Sequence, residues 1–203
     1  MKRLFSGISA GILISIGGSV FLASDNKYVG AMFFCVALIC ICAKSYFLFT
    51  GKVGYLFEDH SKAQIGDVLL ALLGNAIGTI ACGYVLRFAL PNVADAALAA
   101  CTARLEQTFL IALVRGVFCG ILMYLAVSIY KEKGTYLSIL FCVPAFILAG
   151  FEHSIADMFY FAASGIVSLR ALGFIWTVIL GNALGGMLLP ALNRIGKSEE
   201  KND

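Results

Sequence analysis

The chain has 203 residues, 61% hydrophobic and 13% charged, with a net charge of +3 and a mean hydropathy of +0.92. That composition excludes a soluble globule and a disordered or collagen-like chain, because 12 acidic and 15 basic side chains cannot cover a water-facing surface. It also leaves no basic face for nucleic acid and almost no extramembrane domain, so the sequence reads as a membrane protein.

A bilayer core about 30 Å thick takes about 20 helical residues, so apolar runs count the crossings. Leu4 to Ser24 is the first. Met1-Lys2-Arg3 before it has the look of a signal-peptide start, but the run is long and lacks a small-x-small cleavage site, so it is kept as a span. Tyr28 to Phe57 is the second region, too long for one crossing and interrupted by charge and glycine near its middle; a broken helix is predicted there. Val68 to Leu86 is the third span, and Gln107 to Tyr130, carrying only Arg115, is the fourth. Gly134 to Leu169 is again too long and interrupted, and is predicted to be a second broken helix; Ala171 to Asn193 closes the set. Lys2, Arg3, Lys52, Lys62, Lys131, Lys133, Arg194, Lys197 and Lys201 fall on one side, against Lys27, Arg87, Arg104 and Arg170 on the other. The excess of positive charge assigns both termini, and a polar tail over 196–203, to the cytoplasm.

The two halves share landmarks in the same order. Gly7-Ile8-Ser9-Ala10-Gly11-Ile12-Leu13 matches Gly116-Val117-Phe118-Cys119-Gly120-Ile121-Leu122, and Gly74-Asn75-Ala76-Ile77-Gly78 matches Gly181-Asn182-Ala183-Leu184-Gly185, at offsets of 109 and 107. Between them Leu48-Phe49-Thr50-Gly51 pairs with Gly150-Phe151-Glu152-His153-Ser154. A unit of three spans, repeated, enters the membrane from opposite sides. The expected fold is therefore an all-α single domain of six transmembrane helices in two inverted repeats, about 1–90 and 105–195, with broken second and fifth helices. Irregular backbone at membrane depth survives only inside protein or along a cavity, so two facing breaks imply a pore. The Gly-x3-Gly spacings read as close helix packing.

At the fifth-region break Glu152 and His153 lie in an otherwise apolar stretch, and an ionisable pair there is a functional candidate. The plainer alternative is that both only hydrogen-bond loose backbone ends; bracing of backbone N–H groups is the expected use of Glu152. Thr50 offers a hydroxyl to fix the tautomer of His153, and Leu48, Phe49 and Phe151 supply apolar constrictions. Gly51, Gly150, Asn75, Asn182 and Asp157 are read as structural at the breaks; Asp157 either caps or touches solute. Lys44 carries no assigned role, and anchoring is the expected use of Arg115. The seven cysteines form no CxxC pair or metal-type cluster with either histidine, so neither cofactor nor metal is expected.

These residues resemble the formate/nitrite transporter family along essentially the whole chain. Gly150-Phe151-Glu152-His153-Ser154-Ile155-Ala156-Asp157-Met158 is similar to its fifth-helix signature and Leu48-Phe49-Thr50-Gly51 to its second-helix break, the Ω loop. Arg115 to Cys119 with Leu125-Ala126-Val127 resembles its fourth helix, and Gly181-Asn182 its sixth. The resemblance implies a homopentamer of aquaporin-like protomers in the plasma (inner) membrane, each conducting small monovalent anions or their conjugate acids such as formate, nitrite, lactate or hydrosulfide. By the same resemblance His153 is the central pore histidine, Thr50 its partner, Leu48 and Phe151 constrictions, and Arg104 and Lys2 the vestibule cations on the two sides. Three positions depart from the pattern: Gly120 and Asp157 stand where asparagine is usual, and Lys52 follows Thr50-Gly51 where asparagine is common, a combination similar to the hydrosulfide-type branch. Before Leu4 there is no room for an amphipathic gating helix, so gating by that route is not expected.

A bare anion in an apolar constriction costs up to tens of kcal/mol by a Born estimate, which favours crossing as a neutral acid or with a proton. Passive, proton-coupled, bidirectional flux is therefore expected, with protons and a small anion as partners and no enzymatic activity. The alternative is a channel for neutral solutes such as water, glycerol or ammonia, although the paired Asn-Pro-Ala boxes of that class are absent from the sequence.

Overall fold

The computed structural model describes residues 1–199, with side chains through Gly196. The last residues of the polar tail, 200–203, lie outside the described residues. The described chain is all-helical: α1 (Lys2–Ala23), α2 (Lys27–Ala43), α3 (Lys62–Ala89), α4 (Pro91–Leu105), α5 (Phe109–Lys133), α6 (Leu137–Leu148), α7 (Ser154–Ser164) and α8 (Leu169–Glu199), with a short 3-10 turn over Val53–Phe57. Four stretches, α1, α3, α5 and α8 through Gly196, are long and apolar enough to cross a membrane; α2 and α6 are shorter apolar helices. Phe33, Phe88, Phe141, Leu169 and Trp176 are among the large apolar side chains on the outer surface, as expected where lipid is the solvent.

The long helices pack as two parallel pairs held by glycine. A Cβ at Gly74 would stand 2.6 Å from the Leu4 carbonyl oxygen of α1, and one at Gly181 would stand 2.6 Å from that of Leu113 in α5. Cβ atoms cannot approach so closely, and the small residues let the backbones meet. The Gly7/Gly74 and Gly116/Gly181 contacts repeat the pairing of landmarks seen in the sequence.

Both predicted interruptions are present, and they are built alike. α2 stops when Ser45 turns left-handed at φ 53, with the Tyr46 N–H bonded to the Ile41 carbonyl at 2.9 Å. α6 stops when Gly150 turns left-handed at φ 73, with the Phe151 N–H bonded to the Phe146 carbonyl at 3.0 Å. Both are helix ends with a six-to-one closing bond. Each interrupted segment is then clamped by one buried asparagine. Asn75 donates from Nδ2 to the carbonyls of Gly7 and Phe47 and accepts the Phe49 N–H at Oδ1; Asn182 donates to Gly116 and Glu152 and accepts the Ser154 N–H. This register corrects the sequence pairing by two or three residues: Ser45 corresponds to Gly150, and Leu48, not a residue nearer Gly51, corresponds to His153. Composition misled because the left-handed residue is a serine in one copy and a glycine in the other.

Beyond the clamps the two breaks diverge. After the second-region break the chain makes only the Val53–Phe57 turn, whereas the fifth-region break leads into α7, an eleven-residue helix in which all but Ser164 is buried. Of the two predicted broken helices, only the fifth-region one therefore resumes as a helix with its N-terminus at the break.

α4 was not expected. It is too short to span, and its buried residues Val93, Ala97 and Cys101 follow a four-residue spacing set in an alanine-rich segment with Pro91 at its first turn. Those are helix signals; counting apolar runs passes over them. α4 packs on α7, which brings Arg104 to the site.

Candidate functional site

His153 closes the N-terminus of α7. Its Nδ1 accepts the Ala156 N–H at 3.1 Å, so Nδ1 carries no proton and the neutral ring bears its hydrogen on Nε2. Nε2 lies 3.0 Å from Thr50 Oγ1 across the two breaks, and it donates to that oxygen. The tautomer is thus set by Ala156, not by Thr50 as the sequence suggested. The ring is 2% exposed and stacks on Phe146 at 5.6 Å, a contact sequence reading had no signal for.

Two cavities that share no lining residue flank this hydrogen bond. One, of about 310 Å³, is bordered by Arg104, Arg115, Phe151, Glu152, His153 and Asp157. The other, of about 120 Å³, lies toward the chain termini and is bordered by Leu48, Gly51, Lys52, Val127 and Lys131. Leu48 and His153, equivalent in the two breaks, each face a different cavity. Phe151 borders the larger cavity and stacks on Phe118 at 5.3 Å, whereas Phe49 is buried and borders neither. Lys52 places its ammonium 3.7 Å from the Phe47 ring centre, and Lys131 sits 3.9 Å from that of Tyr55. Lys2 is exposed at a third, outer cavity with Arg3 and Lys44; Arg3 pairs with Asp67.

Glu152 does not brace backbone N–H groups. Its Oε2 accepts from Arg104 Nε at 2.9 Å and its Oε1 from Gln107 Nε2 at 2.7 Å, with Arg115 3.9 Å away. Bracing of the backbone is done by Asn182, because α8 and not Glu152 faces the loose N–H of Ser154. Arg104 Nε also meets Asp157 Oδ1 at 3.1 Å, so the expected vestibule cation is tied into an ion pair over the Tyr160 ring. Gln107 was missed, although it follows Arg104 by three residues and opens a span whose one charge is Arg115. Among the described residues no three His, Cys, Asp or Glu side chains converge as metal ligands.

Four apolar spanning helices, two interrupted helices meeting at a buried polar contact, and cavities on either side define a multi-pass membrane transport protein. A sequence model described as formate/nitrite transporter matches residues 1–195, and the chain belongs to the formate/nitrite transporter family. It is 30% identical to the nitrite transporter NirC of Salmonella typhimurium over 89% of this chain and 75% of that protein. It is also 26% identical to the uncharacterized transporter YwcJ of Bacillus subtilis, over 93% of this chain and 86% of that protein. A solved pentameric formate channel with formate bound shares the fold with a TM-score of 0.78 at 24% identity, covering 94% of both chains.

Proposed function

We propose that this protein is a passive, proton-coupled conduit for small monovalent anions or their conjugate acids across the inner membrane, with formate, nitrite, hydrosulfide and lactate as the candidate solutes. It crosses the membrane six times as two inverted repeats, with both termini cytoplasmic, and works as a homopentamer with one pore per protomer. NirC relatives that carry nitrite and a pentameric channel holding formate support the solute class and the assembly.

The observation that carries the reading is the neutral imidazole of His153 bonded to Thr50 between two separate cavities. The Nε2–H occupies the Thr50 oxygen as acceptor, which leaves the hydroxyl hydrogen to point at a solute. An anion drawn in by Arg104, Arg115, Lys52 or Lys131 loses water as the walls become apolar. Low dielectric favours its neutral form, so it takes a proton and passes Leu48 and Phe151 uncharged.

The test is flux into proteoliposomes of each anion in turn under an imposed pH gradient, with wild type, His153→Asn and His153→Phe. Proton-coupled uptake that the two variants alter in rate and pH dependence is expected; unchanged flux at every pH refutes the role of the histidine. Swelling in glycerol without uptake of any anion would replace this reading with a neutral-solute channel.

A further inference from the structure

The charges around Arg104 do not balance by hydrogen bonding. Glu152 and Asp157 are 3% and 1% exposed, and both aim an oxygen at the same Arg104 Nε–H, at 2.9 and 3.1 Å. One hydrogen therefore serves two acceptors. The guanidinium Nη1 donates to the Ala100 carbonyl at 3.2 Å, away from the pair, and Gln107 Nε2 donates to the other Glu152 oxygen. Asp157 Oδ2 is fully buried with no donor at all. Two N–H groups, Arg104 Nε–H and one from Gln107, thus reach the four oxygens of the pair, and a buried anionic oxygen without a donor is costly.

We propose that Glu152 and Asp157 hold one proton between them, and that this proton sets the charge of the wall an entering anion meets. The inference rests on the reading of the chain as an anion conduit. Facing the pair are Arg104 and Cys101 from α4, Gln107 just beyond it, Arg115 and Cys119 from α5, His153 at the break and Tyr160 from α7. Arg104 and Arg115 are the cations of this set. With the proton, Arg104, Arg115, Glu152 and Asp157 together carry +1; without it they carry zero. Two carboxylates on a shared site do not ionise together readily, which is the physical reason the proton stays. The cavity then attracts anions when the facing solution is acidic enough to keep the pair protonated, and ceases to when it is not.

Infrared spectra of the wild-type protein in liposomes at neutral pH should contain the carbonyl stretch of a protonated carboxylic acid, sensitive to deuterium exchange. Asp157→Asn should remove that band, as should Glu152→Gln. Uptake of formate should then be measured as external pH rises with formic acid held constant, a condition under which protonation of formate in bulk water predicts a flat rate. Wild type should instead lose uptake by up to about tenfold per pH unit above the midpoint of the band, whereas Asp157→Asn should stay flat. Absence of the band in wild type, or its survival in both variants, overturns the shared proton. A band that titrates while wild-type uptake stays flat overturns its control of the wall charge. If either variant fails to fold, titration of the wild-type band decides the question alone. Absence of flux for every anion with the band intact would sink the transport reading and leave the proton in place.

Discussion

Asn182→Ala tests whether the asparagine clamp, and not the chain on either side, shapes the break. The side chain is fully buried and makes three hydrogen bonds of 2.9 Å, to the carbonyls of Gly116 and Glu152 and from the N–H of Ser154. Each bond is worth about 1 kcal/mol net, and each backbone group left without a partner away from water costs about 1–3 kcal/mol more. Relaxation and entering water recover part of this, so a loss of about 3 kcal/mol is expected, enough to lower the folded-to-unfolded ratio more than about a hundredfold. Unfolding in mixed detergent and sodium dodecyl sulfate, followed by near-ultraviolet circular dichroism, reads it directly. Asn75→Ala should behave the same way, because its three bonds are equivalent. A loss under about 1 kcal/mol for either, with flux intact, would mean that the interrupted segments hold their shape without the clamp.

Gly150→Ala forces a Cβ into a left-handed conformation at φ 73 with open space around it, and should cost about 1–2 kcal/mol without blocking either cavity, measurable in the same unfolding assay. Ser45→Gly relieves the equivalent strain and should stabilise by about 0.5–1 kcal/mol, a shift of opposite sign at the matching position. Thr50→Val keeps the shape but removes the oxygen that the His153 Nε2–H needs, so flux should fall by about tenfold or more while the fold survives; unchanged flux would deny the contact a role. In the loop before α3, the Ser61 backbone N–H donates to the Asp59 carboxylate, which holds that group below the usual carboxylate range. The contact is therefore fully formed above the ordinary carboxylate pKa and lost as pH falls through the depressed one, which a carboxyl carbon NMR titration will display.

Much of this architecture was legible. Long charge-poor runs announce themselves because a bilayer demands length, and the Gly-Asn repeats marked both clamps because one chemical task recurs in each half. His153 stood out because an imidazole amid phenylalanines has few structural excuses. What stayed hidden was tertiary. Nothing local tells that Ala156 takes Nδ1, or that Arg104 folds back from a helix outside the spans to meet Glu152 and Asp157. α4 itself was hidden because its alanines bury little surface each, so it carries a periodic signal and no apolar run. The register of the two breaks was misread because a serine and a glycine adopt the same left-handed turn, an equivalence of backbone and not of side chain.

The bond from Ala156 to His153 restricts what the imidazole can do as a courier. A ring that passed protons from one face to the other would have to take them on one nitrogen and release them from the other. Here the first is pinned as an acceptor by a helix amide that has nowhere else to turn, so entry and exit share a single door. In the proton-coupled conduit proposed above, hydrogen ions then travel with the cargo and not ahead of it along a wire, and a pore of this design should stay tight to protons when no cargo is present.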